Sequence, residues 1–461
     1  MSFNSLLFLF FFIIVTTLYY LLPHRIRWFW LLIASCYFYM YFKPTYILII
    51  FFTIIVDYST AILISLTTGI KRKIFLIISL VTNIGILTYF KYFNFLTESF
   101  NSLSRHLGGP QIPLLDLVLP IGLSFHTFQA MSYTIEVYRN NQKPELHFGR
   151  YSLYVLFYPQ MVAGPIERPQ QLLPQLNNEQ RFNKDLLIQG VMMMILGLFK
   201  KVVIADRLGI FVDGVFANPN HHSALDLLLG TYFFSFQIYC DFSGYTDMAI
   251  GAGLMLGIRL MQNFNMPYLS LNIAEFWKRW HISLSTWFRD YLYIPLGGNR
   301  GTYLRTSLNI VVVFLVSGLW HGANCKYLIW GMIHSVLLIA HQLFNRFKLK
   351  ISSKWLRWAI TFNLISLTWI FFRADTLKDG WAILHRIITV NNFNYTAENI
   401  IPLKGIVYCC AIIGGLTALE WSLRNLSGFS NFKKMIIGVA LCIGCYFLGV
   451  FSEAQFIYFQ F

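Results

Sequence analysis

The residues whose types and spacing best suit chemistry lie in "VVVFLVSGLWHGANCKYLIWGMIH", residues 311–334. His321 stands inside apolar sequence, flanked by Gly318 and Gly322 and followed by Asn324. Glycine and asparagine favour left-handed or helix-ending backbone. The run therefore reads as two helices that meet at a break holding His321. A span starting near Leu308 carries His321 roughly 20 Å along its axis at about 1.5 Å per residue, well inside a hydrocarbon layer. A buried imidazole is kept neutral because charge is costly there, and a neutral imidazole can accept a proton as a general base must. The flanking glycines read as what opens the helix to substrate. His334 and His341 continue a smooth helical pattern and read as core histidines.

A second constellation is "NFNMPYLSLNIAEFWKRWHISLSTWFRDYLYIPLGGNR", residues 263–300. Phe276, Trp277, Trp280, Leu284, Trp287, Phe288 and Tyr291 recur at helical spacing and share one face. Lys278, Ser285 and Arg289 lie on another. The pattern predicts an amphipathic helix at or dipping into the membrane interface. His281 sits at the edge of its apolar stripe, beside Ser285, and sequence physics alone favours a plain interfacial helix with a snorkelling polar face over a functional role for it. In "FQIYCDFSGYTDMAIGAG", residues 236–253, Asp241 and Asp247 lie in or beside an apolar run. A carboxylate near hydrocarbon costs several kcal/mol and marks a lined cavity or a paired site. Pairing with an arginine, or capping of a helix by Asp241, is the structural alternative. The same two readings apply to His126 and Glu136, and to Glu167 and Arg168 beyond the Gly164-Pro165 turn.

The elements that must position these residues follow from composition. The chain has 461 residues, of which 56% are hydrophobic and 12% charged, against roughly 25% charged in soluble domains. Its mean hydropathy is +0.56. Apolar runs recur at the length of about 20 residues that crosses a bilayer. No alternating strand pattern of the barrel type is present. The fold class is all-α: a polytopic membrane protein, one continuous domain over 1–461, with about 11–12 transmembrane helices. Spans are expected near 3–22, 28–42, 46–67, 74–92, 186–204, 225–240, 243–259, 306–320, 326–343, 356–373, 402–421 and 434–451. Residues 117–165 are apolar but broken by proline and glycine, and 263–300 are rich in Trp, Arg and Lys. Non-helical backbone at membrane depth is tolerated only where protein or a water-filled cavity surrounds it. These stretches are therefore expected as re-entrant and interfacial segments around a central tunnel.

The N-terminal "MSFNSLLFLFFFIIVTTLYYLL" lacks a basic leader and a cleavage site, and reads as a retained first helix. The formal net charge of +16 sits in short loops between apolar runs. Positive-inside topology explains it, and no nucleic-acid partner is needed. "HRIR" at 24–27 and "KRK" at 71–73 are two spans apart, so both can be cytoplasmic and the N-terminus extracytoplasmic. Of the seven cysteines, Cys442 and Cys445 have metal or redox spacing but lie in "GVALCIGCYFLGV" as small apolar packing residues. No disulfide framework, metal or tightly bound cofactor is expected.

The 263–300 stretch followed by "SGLWHGAN" resembles the membrane-bound O-acyltransferase family. "LPIGLSFHTFQAMSYTIEVYR", "FYPQMVAGPIERP", "FQIYCDFSGYTDMAIG" and the terminal "FIYFQF" resemble its bacterial branch for alginate and peptidoglycan O-acetylation, related to the teichoic acid D-alanyltransferase. The likeness is dense over 119–331, the motif-rich region. It implies a thioester donor, acetyl-CoA, delivering an acyl group to a hydroxyl within a buried tunnel. It maps the catalytic base onto His321 and a second functional polar residue onto His281. Asp241, Asp247, Asn324, Arg289 and Asp290 fall in matching motifs. With Trp320, Ser285 and His126 they are expected to line the tunnel. Cys325 departs from the aromatic residue usual after "WHGAN", which bears on cavity shape.

The resemblance further implies a bacterial cytoplasmic membrane location and a polysaccharide acceptor in the envelope. An extracytoplasmic SGNH-type acetyltransferase is the implied partner. D-alanyl transfer from a carrier protein is the alternative within the family. A transporter of acyl donor or glycan is the alternative of another class, since broken helices and buried polar groups suit it too. A scaffold for a glycan synthase leaves the break at His321 unexplained.

Overall fold

The computed structural model describes residues 1–161, 164–389, 394–397, 400–423, 428–451 and 456–457. The terminal "FIYFQF" motif thus lies mostly outside the described residues. Helices dominate, and no strand occurs among the described residues. Eight helices among these residues are long and apolar enough to cross a bilayer: Tyr46–Leu66, Gly69–His106, Lys184–Ala217, Tyr303–His321, Cys325–Arg346, Lys354–Arg373, Leu403–Leu423 and Asn431–Leu448. The chain is a multi-pass membrane protein. Many of its large apolar side chains, such as Leu48, Val81, Val407 and Ile443, face outward, as a lipid solvent allows.

Contacts divide the chain into two compact units, Met1–Val191 with Ala249–Met261, and Met192–Met248 with Gln262–Phe461. In the first unit Pro23 ends one helix, Leu6–Leu21, and opens the next, His24–Met40. Phe8 packs between Phe12 and Phe38, at centroid distances of 5.7 and 6.1 Å, and holds the two together. Asp57 is buried in the Tyr46–Leu66 helix, where it accepts hydrogen bonds from Ser79 Oγ at 2.6 Å and Asn83 Nδ2 at 2.9 Å. Buried polar pairs of this kind join membrane helices because hydrocarbon offers no other partner.

The second unit differs from expectation in three places, each for a physical reason. The spans expected at 225–240 and 243–259 are one helix, Ala224–Met255. Gly244 does not break it, because it is a contact point. A Cβ there would lie 2.6 Å from the Gly197 carbonyl oxygen, and one at Gly197 would lie 2.4 Å from the Gly244 oxygen. Small residues let membrane helices approach this closely.

The single amphipathic helix expected over 276–291 is two, Ile273–Arg279 and Ile282–Phe288. His281 between them has φ +43°, a left-handed conformation that costs a side-chain-bearing residue roughly 1–2 kcal/mol. Asn263 offsets that cost by accepting the Ile282 N–H on its backbone carbonyl at 2.9 Å.

The third difference concerns the glycines around His321. They do not open the helix to substrate. A Cβ on Gly318 would lie 2.2 Å from the Tyr327 carbonyl oxygen, and one on Gly331 would lie 2.3 Å from that of Phe314. A Cβ on Gly322 would lie 2.0 Å from the Tyr327 ring. The glycines exist to press the Tyr303–His321 and Cys325–Arg346 helices together. The break itself stands where the sequence places it: Gly322 is extended, and Asn324 caps the next helix by accepting the Lys326 N–H at 3.0 Å.

Candidate functional site

His321 is the last residue of its helix and is buried. Three aromatic rings stand nearly perpendicular to its imidazole: Trp320 at 5.0 Å, Trp330 at 5.1 Å and Phe372 at 5.3 Å. Trp330 comes from the partner helix of the hairpin, and Phe372 from Lys354–Arg373. Trp330 in turn stacks on Trp369 at 5.8 Å. The imidazole is therefore held by ring edges and faces, an apolar enclosure with fixed geometry.

His281 is 1% exposed and also packs against the Trp320 indole, with centroids 6.1 Å apart. Phe242 packs against it edge-on at 4.6 Å. Its Nδ1 lies 3.1 Å from Asn263 Oδ1. That oxygen also accepts the Ser283 N–H at 3.2 Å and the Ser283 hydroxyl at 2.9 Å. An atom that accepts a backbone N–H is the amide oxygen, so His281 Nδ1 must be the donor. Its Nε2 then carries the lone pair. Two imidazoles thus share one indole, and one has its tautomer set by an amide.

The remaining expected residues fall into different settings. Asp241 and Asp247 are held by lysines. Lys201 Nζ reaches Asp241 at 2.7 Å and Asp206 at 2.8 Å, while Lys200 Nζ reaches Asp247 at 2.7 Å and Glu420 at 2.6 Å. Both lysines lie in a π-turn, Lys200–Ala205. Asp241 also accepts the Ile457 N–H at 2.7 Å. Asn324 is an exposed helix cap, and Ser285 donates to the Trp280 carbonyl at 3.2 Å. Arg289 and Asp290 pair with each other at 2.7 Å, with the arginine side chain 60% exposed.

His126 belongs to the first unit, where it is buried and its Nε2 lies 2.7 Å from Thr53 Oγ1. In the same unit Glu167 accepts the Met261 N–H at 2.6 Å. Burial pushes its carboxyl up to about 7, against the opposing pull of that N–H and of Arg168.

Asn263, Trp330, Phe372 and the lysine pair were not among the expected site residues. Adjacent lysines inside the apolar run 186–204 are the one signal that pointed to the ion clusters. Asn263, Trp330 and Phe372 carry no local signal. A cavity of about 280 Å³ in the second unit is lined by Tyr239, Tyr268, Trp358, Phe362, Leu416 and Glu420 among others. Tyr239 and Tyr268 each touch Trp280, the residue before His281, at 6.3 and 6.0 Å. Among the described residues no group of three metal-ligating side chains occurs.

The sequence model of the membrane-bound O-acyltransferase family matches residues 132–375. A peptidoglycan O-acetyltransferase of Helicobacter pylori is 34% identical, over 94% of this chain and 91% of its own length. A probable alginate O-acetylase of Pseudomonas aeruginosa is 38% identical, over 92% and 82%. A teichoic acid D-alanyltransferase of Bacillus subtilis is 29% identical, over 57% and 71%. The chain belongs to the membrane-bound O-acyltransferase family and is an O-acyltransferase.

Proposed function

We propose that this enzyme moves an acetyl group from a cytoplasmic thioester, acetyl-CoA, toward hydroxyls of a cell-envelope or secreted polysaccharide. The observation that carries the reading is the pair of buried imidazoles packed against Trp320, each at a helix break. His321 takes the proton of the attacking hydroxyl. The hydroxyl oxygen bonds to the thioester carbonyl carbon, the carbon–sulfur bond breaks, and the imidazolium returns its proton to the departing thiolate. General-base catalysis contributes roughly 10² to 10⁴ in rate, so positioning supplies much of the remainder. His281 offers an Nε2 lone pair, which suits holding a donor or acceptor N–H or O–H in place. It does not suit stabilising an oxyanion, which needs a hydrogen-bond donor.

Acetyl-CoA is made inside the cell and envelope glycans lie outside, so a tunnel open to both faces of the inner membrane lets one site meet both. The two peptidoglycan and alginate relatives favour an acetyl group. The more distant D-alanyltransferase keeps D-alanyl transfer from a carrier protein as the second reading. The N-terminus is assigned outside, and an extracytoplasmic SGNH-type acetyltransferase is the partner that completes delivery to the polymer. The test is His321→Ala made at normal membrane level. Base-labile acetate on envelope glycan should fall to background, and near-normal acetate refutes the assignment of His321. Labelled D-alanine ester in place of acetate supports the second reading.

A further inference from the structure

Three rings pack together one ring away from His321, each carries a buried polar atom, and the mechanism above uses none of them. Trp330 touches both His321, at 5.1 Å, and His334, at 4.7 Å. Trp277 touches His334 at 4.9 Å and Trp330 at 5.9 Å. The indole N–H groups of Trp277 and Trp330 and the Nδ1 of His334 are all buried, with no hydrogen-bond partner among the described residues. Trp330 and His334 are wholly buried.

The protonation of His334 can be worked out. Thr368 Oγ1 donates its only hydrogen to the Ile365 carbonyl at 2.7 Å. Its 3.0 Å contact with His334 Nε2 must then be one that it accepts. The proton of the neutral imidazole is on Nε2, and Nδ1 is a lone-pair acceptor. The cluster therefore presents two donors and one acceptor. Left unpaired, each buried group carries its full desolvation penalty, so a ligand that pairs all three is favoured.

The chemistry selects what pairs with all three. A carbonyl or carboxylate oxygen accepts from both indoles but sets a lone pair against His334 Nδ1. An ammonium satisfies Nδ1 alone. A hydroxyl accepts twice and donates once. We propose that Trp277, Trp330 and His334 bind one hydroxyl of the acceptor, next to the hydroxyl that His321 deprotonates. This rests on the acyl-transfer reading of His321. It makes the enzyme selective for polyhydroxylated acceptors over simple alcohols. Sites built to hydrogen-bond a substrate hydroxyl discriminate strongly against analogues that lack it, because the site's own groups are then left unpaired.

The test uses the full chain purified in lipid nanodiscs, with labelled acetyl-CoA as donor and glycerol or propan-1-ol as acceptor. The two alcohols share a three-carbon skeleton and differ in added hydroxyls. Base-labile acetate on envelope glycan is measured in parallel in cells making each variant at equal level. The wild type should favour glycerol at least tenfold in kcat/KM. Trp330→Phe and His334→Leu keep an apolar side chain in place and delete one hydrogen-bonding partner each. They should bring the two alcohols within about twofold, and envelope acetate should fall at least tenfold. His334→Gln, whose amide both donates and accepts, should keep the preference.

A wild type that treats both alcohols alike overturns the proposal, as does an unchanged preference in Trp330→Phe and His334→Leu. Resident water at the site gives the first of these results. If one of these variants does not accumulate, Trp277→Phe is read in its place against the same criteria. If neither alcohol is acetylated, envelope acetate decides, and normal acetate in Trp330→Phe and Trp277→Phe overturns the proposal. His321→Ala is measured beside them. Full envelope acetate in His321→Ala, with the glycerol preference still erased by Trp330→Phe, sinks the base assignment and spares the hydroxyl site.

Discussion

Replacing Asn263 by leucine tests how much of the site depends on one amide. Its Oδ1 accepts from His281 Nδ1, the Ser283 N–H and the Ser283 hydroxyl. The serine hydroxyl can rotate to another acceptor, but the imidazole and the backbone N–H cannot. Two buried donors left unpaired cost roughly 2–6 kcal/mol at about 1–3 each. Asn263 Nδ2 is itself buried with no partner among the described residues. Deleting it returns roughly 1–3 kcal/mol. The net expectation for Asn263→Leu is a destabilisation of about 2 kcal/mol, with the chain still folded.

The larger effect is expected on rate. Without Oδ1 the His281 proton is free to move to Nε2, and the ring loses its orientation. A wrong tautomer costs serine proteases about 10⁴-fold. Here a fall of at least tenfold in envelope acetate is expected from Asn263→Leu. Asn263→Asp supplies an oxygen for the same three donors and should recover a good part of that loss. Thermal melting in nanodiscs reads the stability, and base-labile acetate reads the activity. Normal acetate in Asn263→Leu refutes the tautomer argument, and so does an aspartate variant no better than leucine.

Three further outcomes are expected. Gly331→Ala places a methyl group 2.3 Å from a backbone oxygen, overpacking that costs about 1–3 kcal/mol; its membrane level should drop, while Gly414→Ala, with nothing within 4 Å of its Cβ, should not change it. Lys201→Met leaves Asp206 and Asp241 buried without their cation, a loss of about 3–5 kcal/mol; adding Asp206→Asn should restore part of the protein level. Glu167 is raised from 4.5 to about 7 in the folded chain, so folding takes up a proton between those values. Its contribution is present below about pH 4.5 and is lost as pH rises through about 7, worth roughly 3 kcal/mol. Glu167→Gln still accepts the Met261 N–H and should flatten the fall in melting temperature between pH 5 and 8.

Some of this was readable from sequence and some was not, and the dividing line is the range of the interaction. The helix break at His321 was legible because its signals, Gly322 and an Asn324 cap, lie within three residues of it. The helices on either side run 303–321 and 325–346, against expected spans of 306–320 and 326–343. The kink at His281 was not legible, because the acceptor that stabilises it is Asn263, eighteen residues away. The apolar stripe over 276–291 is real as a pattern, but that non-local bond overrides its periodicity. The continuity of Ala224–Met255 was hidden for the same reason: Gly244 looks like a breaker until Gly197 is seen against it.

Asp241 and Asp247 hold the architecture around the candidate site through ion pairs. Each is held by a lysine, and Lys200 and Lys201 are adjacent in sequence. Successive residues of a helical turn point in different directions, so two neighbouring lysines serve two different carboxylate pairs. Phe242, next to Asp241, packs on His281 at 4.6 Å. Fixing the Ala224–Met255 helix through its carboxylates therefore fixes the ring that His281 leans on. Each lysine bridges two acids, and both lysines are almost wholly buried, at 4% and 2% exposure, so the clusters are held inside the protein rather than at its surface. In the proposed reaction the charged residues of this region act through rigidity, and the imidazoles through their lone pairs.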